Sequence, residues 1–253
     1  MSDAIRIFSH AISMVFRDFG ATLRATSVGV ALVALSVVAL IASAPASFGT
    51  LITQSFDTDA VIPNVGLVVA AFLLMAIGYL TMVAAWHRYV LLPQDQRSGG
   101  FTPSAGIVLG YLGRSILLGL LMMLLAIPVF IPVGIIAAAT NSVLVSAIAS
   151  IPAIAILIWV FLRLSLILPA CTIHHDMKIR ASWDATKDLS GTIAMLTIIM
   201  ALADFLINQV LGLLPSASIL GGVVSVVISV LYALVSASVL TTLYGIAVEG
   251  RDV

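Results

Sequence analysis

The sequence predicts an all-α, polytopic membrane helix bundle of about six transmembrane helices, with an N-terminal amphipathic helix lying at the membrane interface. Three observations carry that expectation. Hydrophobic residues make up 62% of the 253-residue chain and charged residues only 9%, against roughly 25% charged in a soluble domain. Six apolar windows reach the roughly 20 residues that a helix needs to cross a bilayer. The 11 Lys and Arg side chains fall on one alternate set of connections or near the span ends that meet it, as expected when positive charge stays on the side of insertion.

The leader, residues 1–26, places Ile5, Phe8, Ile12, Val15, Phe16 and Phe19 close to one helical face, with Arg6, Arg17 and Asp18 elsewhere. Such a helix lies along a membrane surface before turning into the first span. The run Ser27 to Ala44 exceeds the roughly 7 to 15 residues of a signal-peptide core. It reads as a retained anchor, despite the cleavage-like Ala42-Ser43-Ala44.

The six spans are expected at Ser27 to Ala46, Val65 to Trp86, Ser115 to Ala139, Val143 to Pro169, Ile193 to Leu214 and Ser218 to Val248. They form one transmembrane domain, residues 27–248, followed by a short tail, 249–253. The stretch PSAGIVLGYLG before Arg114 either lies on the surface or lengthens the third helix. Asp57 and Asp59 mark the opposite side, which carries no basic residue, so both termini are expected in the cytoplasm, with the chain in a bacterial inner membrane. WHRYVLLP and FLRLSLILP each set an arginine, Arg88 or Arg163, shortly before a proline at that boundary, and a duplicated two-span unit would explain the echo.

Inside the fifth span, Asp204, Asn208 and Thr197 are expected on one helical face. A carboxylate at that depth costs at least about 2.5 kcal/mol, which makes it a candidate for proton or cation handling or for holding a partner helix. A buried, hydrogen-bonded structural role competes with these. In the sixth span, small residues recur every four positions, including Ala217, Gly221, Ser225, Ser229, Ala233 and Ala237. Small side chains let helix backbones approach. A four-residue step drifts by roughly 40°, so the row winds round the helix and calls for successive neighbours. It is read as a helix-packing or partner face. Pro128, Pro132 and Pro152 imply kinks within spans, or a cavity such as broken transporter helices provide.

The densest charge in the chain follows Arg163. Arg163 sits roughly 9 Å inside its span end, within snorkelling reach of headgroups. Arg88, Arg163 and Trp183 are therefore expected as interfacial anchors. His174, His175 and Asp176 are conceivable metal ligands, but adjacent side chains diverge by about 100° on a helix, and a solvated turn is the simpler expectation. A composite site with His10 and His87 is a further arrangement open at this stage. The segment with Arg163, Leu164, Ser165, Leu168 and Pro169, then Trp183, Thr186, Lys187 and Gly191, resembles bacterial six-helix membrane proteins that include the membrane domain attached to some glycerophosphoryl diester phosphodiesterases. In those enzymes the chemistry resides in a separate soluble barrel, for which this chain has no room. The resemblance thus implies a fold and a membrane setting and leaves catalysis unsupported.

Zero formal net charge argues against nucleic-acid partners. The single Cys171 offers no disulfide or redox pair, and the common nucleotide, hydrolase and metalloprotease motifs are missing. No metal or cofactor is expected. The function read from the sequence is a non-catalytic accessory, scaffolding or assembly subunit contacting membrane lipids or another membrane protein, with self-association a further option. A small permease using Asp204 is the alternative, and a lipid-handling protein the weaker one.

Overall fold

In a computed structural model, which describes residues 3–45, 48–53, 64–93, 102–215 and 218–252, the chain is an all-α bundle. Its helices are α1 (Asp3–Phe16), α2 (Phe19–Ser43), α3 (Phe48–Thr53), α4 (Val65–Leu91), α5 (Ala105–Thr140), α6 (Val143–Leu164), α7 (Ile167–Thr172), α8 (Ile179–Ala185), α9 (Ser190–Gly212) and α10 (Ile219–Glu249). Six of them are long and apolar enough to cross a membrane, α6 counting together with α7. Asp57, Asp59, Arg97, Ala46 and Ala217 lie outside the described residues. The end of the bundle holding α1, α7, α8 and the start of α9 is here the basic end.

Local chemistry sets the boundaries. Asp18 caps α2 by accepting from the Ala21 N–H at 2.9 Å, and the Thr22 hydroxyl donates to the Val15 carbonyl at 2.9 Å, which fixes the elbow between α1 and α2. The first span therefore starts earlier than expected, with Arg24 inside it. PSAGIVLGYLG lengthens the third span, α5, under a Ser104 cap. Asn141 in the left-handed region (φ 47°) and Ser142 as the next cap close the α5–α6 hairpin. Pro128 and Pro132 lie within the continuous α5, and Pro152 within α6.

The leader helix carries two apolar faces. Ala4, Ile7, Ala11 and Val15 are buried against α9 and α10. Ile5, Ile12 and Phe16 stay exposed on the adjacent face, with Phe16 stacked on Phe19 at 6.3 Å. The stripe read from the sequence is thus mostly the outward one, while a smaller-residue face holds the helix to the bundle.

Packing divides the molecule into two arms. α2 and α4 pack along their whole lengths. At their crossing a Cβ on Gly29 would lie 2.6 Å from Met82 Cα, and one on Gly78 would lie 2.9 Å from the Val33 nitrogen, so backbone meets backbone there. α10 joins this arm through α3 and α4, with the buried Phe48 of α3 seated where a Gly222 Cβ would otherwise be. α5, α6 and α9 form the other arm. Apart from Ala153 they bury residues only near the basic end: Ile107, Tyr111 and Leu118; Leu162 to Leu164; Ile193, Leu196 and Thr197. No extended packing joins α9 to α10 among the described residues. The arms therefore meet at the basic end and separate beyond it.

Candidate functional site

The junction of the arms is built on the segment after Arg163. Every residue from Leu162 to Thr172 is buried. Instead of leaving the bundle at Pro169, the chain turns at Ser165 and Leu166 and runs through the core as α7. Its neighbours are α4, α5 and α10, with Leu166, Ile167 and Ala170 in one cluster with Leu118, Leu196, Val239 and Tyr244. A short helix buried on all sides must satisfy its own polar groups. Thr172 does so by donating to the Pro169 carbonyl at 2.8 Å, while its own carbonyl accepts from Arg88 Nη1 at 2.7 Å.

Arg163 is held by protein rather than by headgroups. It is 4% exposed, donates from Nε to the Thr186 hydroxyl at 3.1 Å and from Nη2 to the Trp183 carbonyl at 2.8 Å. Its guanidinium carbon lies 3.6 Å from the Trp183 ring centre and 5.1 Å from that of Trp159. Trp159 in turn donates to the Ser190 carbonyl at 3.1 Å, and the Ser182 hydroxyl donates to the Arg163 carbonyl at 2.7 Å. The snorkelling expectation is corrected to that extent: two hydrogen bonds and two aromatic faces make α6, α8 and α9 one corner. Arg88 likewise points into the core, where its Nε is buried with no hydrogen-bond partner among the described residues. The echo between WHRYVLLP and FLRLSLILP has a physical counterpart, each guanidinium binding a backbone carbonyl of the segment 162–186.

Buried polar pairs bind α10 to the same junction. Trp86 donates to the Ser238 hydroxyl at 2.8 Å, and His87 Nδ1 pairs with the Thr241 hydroxyl at 2.8 Å, with Tyr111 at 3.5 Å from its other nitrogen. His175 Nδ1 lies 2.6 Å from the Tyr244 hydroxyl. Sequence reasoning did not identify Trp86, Tyr111, Ser238 or Tyr244. Their partners lie 24 to 152 residues away, beyond any local pattern.

Beside α7 a cavity of ≈350 Å³ opens between the start of α5 and the turn carrying His174, His175 and Asp176. Arg114 lines it and pairs with Asp176 at 3.2 Å. The histidines do not form the composite site: His87 is sealed in the core, His10 lines a separate small cavity with Thr241, and His174 and His175 are exposed. Among the described residues no group of three or more His, Cys, Asp or Glu is placed to hold a metal ion.

The intramembrane trio separates. Thr197 is buried and donates to the Ile193 carbonyl at 3.0 Å, whereas Asp204 and Asn208 are exposed. Asn208 donates to the Asp204 carbonyl at 2.9 Å and to its carboxylate at 3.2 Å. Thr197 and Asp204 are seven residues apart, and a true α-helix drifts by roughly 20° over that interval. More decisively, no residue of α9 beyond Thr197 is fully buried. The small-residue row behaves as its drift requires: Gly221, Ser225 and Ala237 are buried, Ala233 half-buried and Ser229 exposed. Ser225 donates within its own helix, to the Gly221 carbonyl at 2.8 Å.

No family model, curated protein or solved structure matches the chain.

Proposed function

We propose that the chain is a non-catalytic accessory subunit of a bacterial inner membrane, with its basic end and both termini in the cytoplasm, that docks a helix of another membrane protein on the open side of α9. The orientation rests on the one-sided distribution of Lys and Arg. One observation carries the docking: the Asp204–Asn208 pair is exposed among Leu202 (56% exposed), Phe205 (57%), Leu206 (54%) and Val210 (55%). A carboxylate on an apolar membrane face is costly against lipid, and far less so beside a helix that offers a hydrogen-bond donor. Among the described residues, the hydrogen-bond donor to that carboxylate is Asn208 of the same helix. Lipid contact is part of the same reading, supported by the apolar groove of ≈470 Å³ between α2 and α10 that Val30, Val37, Val227 and Val230 line. The resemblance to the phosphodiesterase-attached membrane domains agrees with that setting.

A permease reading has one observation in its favour, since Tyr232 of α10 is close enough to Asp204 for an electrostatic interaction. Two substitutions separate the readings. Asp204→Asn keeps an acceptor for a partner's donor and removes the charge; Asp204→Leu removes both. A partner co-purifying in mild detergent with the native chain and with Asp204→Asn, and lost with Asp204→Leu, supports docking. Loss of a transport phenotype in Asp204→Asn, with no partner on the native chain, favours the permease.

A further inference from the structure

The cavity at the basic end has features that packing alone does not account for. Gly106, Gly110 and Arg114 follow one another at four-residue spacing along α5 and all line it. Glycine weakens a helix relative to alanine. A Cβ on Gly113, Gly119 or Gly134 of α5 would meet nothing within 4 Å, and Gly106 and Gly110 differ from these in lining the cavity. A Cβ on Gly106 would find its nearest neighbour, the Ser104 hydroxyl, at 3.9 Å, and one on Gly110 would find only Arg114 Nη1, at 3.5 Å. What the two glycines leave free is the ≈350 Å³ of the cavity itself.

The walls are suited to negative charge. Arg114 stands at one side with 29% of its side chain exposed. Opposite are His174 and His175. His175 has Nδ1 engaged by Tyr244 at 2.6 Å, and a tyrosine hydroxyl donating to Nδ1 leaves the imidazole proton on Nε2, a donor for a ligand. Ser104 takes the Ile107 and Val108 N–H groups, and the start of α5 adds partial positive charge at the same end through its helix dipole. Among the described lining residues the one opposing group is Asp176, paired with Arg114 at 3.2 Å but 87% exposed. So solvent-screened a pair is readily exchanged for a multiply charged oxyanion that Arg114 can bind through two N–H groups.

We infer that this cavity is a binding site for a phosphate-type oxyanion, held by Arg114 and the His174–His175 pair over the bare Gly106–Gly110 face of α5. The same chemistry is offered by the headgroup of an anionic lipid with a terminal phosphate and by free phosphate, and the site lies at the end of a spanning helix where either has access. The inference stands apart from the docking proposed at Asp204, which lies on another helix.

The test uses the full chain in nanodiscs. In phosphatidylcholine discs it is titrated with inorganic phosphate; in a second series the discs contain phosphatidate. Thermal unfolding and calorimetry are read for the native chain, Arg114→Gln and Gly110→Leu, the last filling the cavity beside Arg114 without removing a charge. Stabilisation of the native chain by inorganic phosphate identifies a soluble anion site, and stabilisation by phosphatidate alone identifies a lipid headgroup site. Either response should weaken at least tenfold in both variants, whose unliganded melting shows that they are folded. No response of the folded native chain to either probe, or an equal response in the variants, overturns the inference.

Discussion

The Arg163 guanidinium stacks on the Trp183 ring at 3.6 Å while donating a hydrogen bond to the carbonyl of that same residue at 2.8 Å. One side chain thereby fixes both the position and the orientation of α8 against α6. Hydrogen bonds from a charged donor contribute about 1.5 to 3 kcal/mol each, and a shielded cation–π contact about 2 kcal/mol. Arg163→Lys keeps the charge but loses the planar stack and one of the two donors. We expect it to lower stability by about 2 kcal/mol, and Arg163→Leu by about 3 kcal/mol or more, in denaturant titrations followed by tryptophan fluorescence. An unchanged midpoint in both would show that α8 is held some other way.

The Gly29–Gly78 crossing gives a sharper steric expectation. Gly29→Ala puts a methyl group 2.6 Å from Met82 Cα, where only backbone movement can relieve it. Overpacking of this kind costs about 1 to 3 kcal/mol. Gly66→Ala, which meets nothing within 4 Å in the same arm, should leave the melting temperature unchanged or slightly higher. Equal behaviour of the two variants would contradict the close approach of α2 and α4.

His87 and Thr241 test whether the polar junction acts as a unit. Thr241→Val leaves a fully buried imidazole without its 2.8 Å partner, an omission worth about 1 to 3 kcal/mol. In a double-mutant cycle with His87→Phe, the two losses should be less than additive by about 1 kcal/mol. Additive losses would mean that the pair contributes nothing beyond its separate packing.

The two faces of α1 should respond differently. Ala11 is fully buried under α10, so Ala11→Leu should free α1 and expose the elbow near Asp18 to protease. Phe16→Ser alters the outward stripe, where Phe16 is 50% exposed. It should weaken membrane association of the leader and leave the melting of the bundle intact.

The spans were legible because bilayer thickness imposes a length that hydropathy reads directly. The elbow at Asp18 and the Asn141–Ser142 hairpin carry recognisable caps, although the sequence reading ran the leader to residue 26 and began the third span at Ser115. Which face of each helix packs was not legible, because lipid and protein core select equally apolar side chains. For that reason the larger Ile5 and Ile12 dominate the apolar pattern of α1 although Ala4, Ile7 and Ala11 are the residues buried against the bundle. The same ambiguity hid α7: ILPACT reads as the end of a span, and only contacts with α4, α5 and α10 make it the centre of the junction. Gly29 and Gly78 could not be singled out among 18 glycines, since the close approach is a property of two helices together. Asp204 and Asn208 were found from their chemistry alone; their outward exposure depends on the separation of the arms, which no local pattern encodes.

The most direct test of the proposed docking face is site-specific photo-crosslinking in the native membrane, with a photoreactive residue at Phe205 and, as control, at the equally exposed Leu35 of the other arm. The account predicts a discrete protein adduct from position 205, absent from position 35 and abolished by Asp204→Leu. Adducts of lipid alone at position 205, or a protein adduct indifferent to Asp204→Leu, would contradict it.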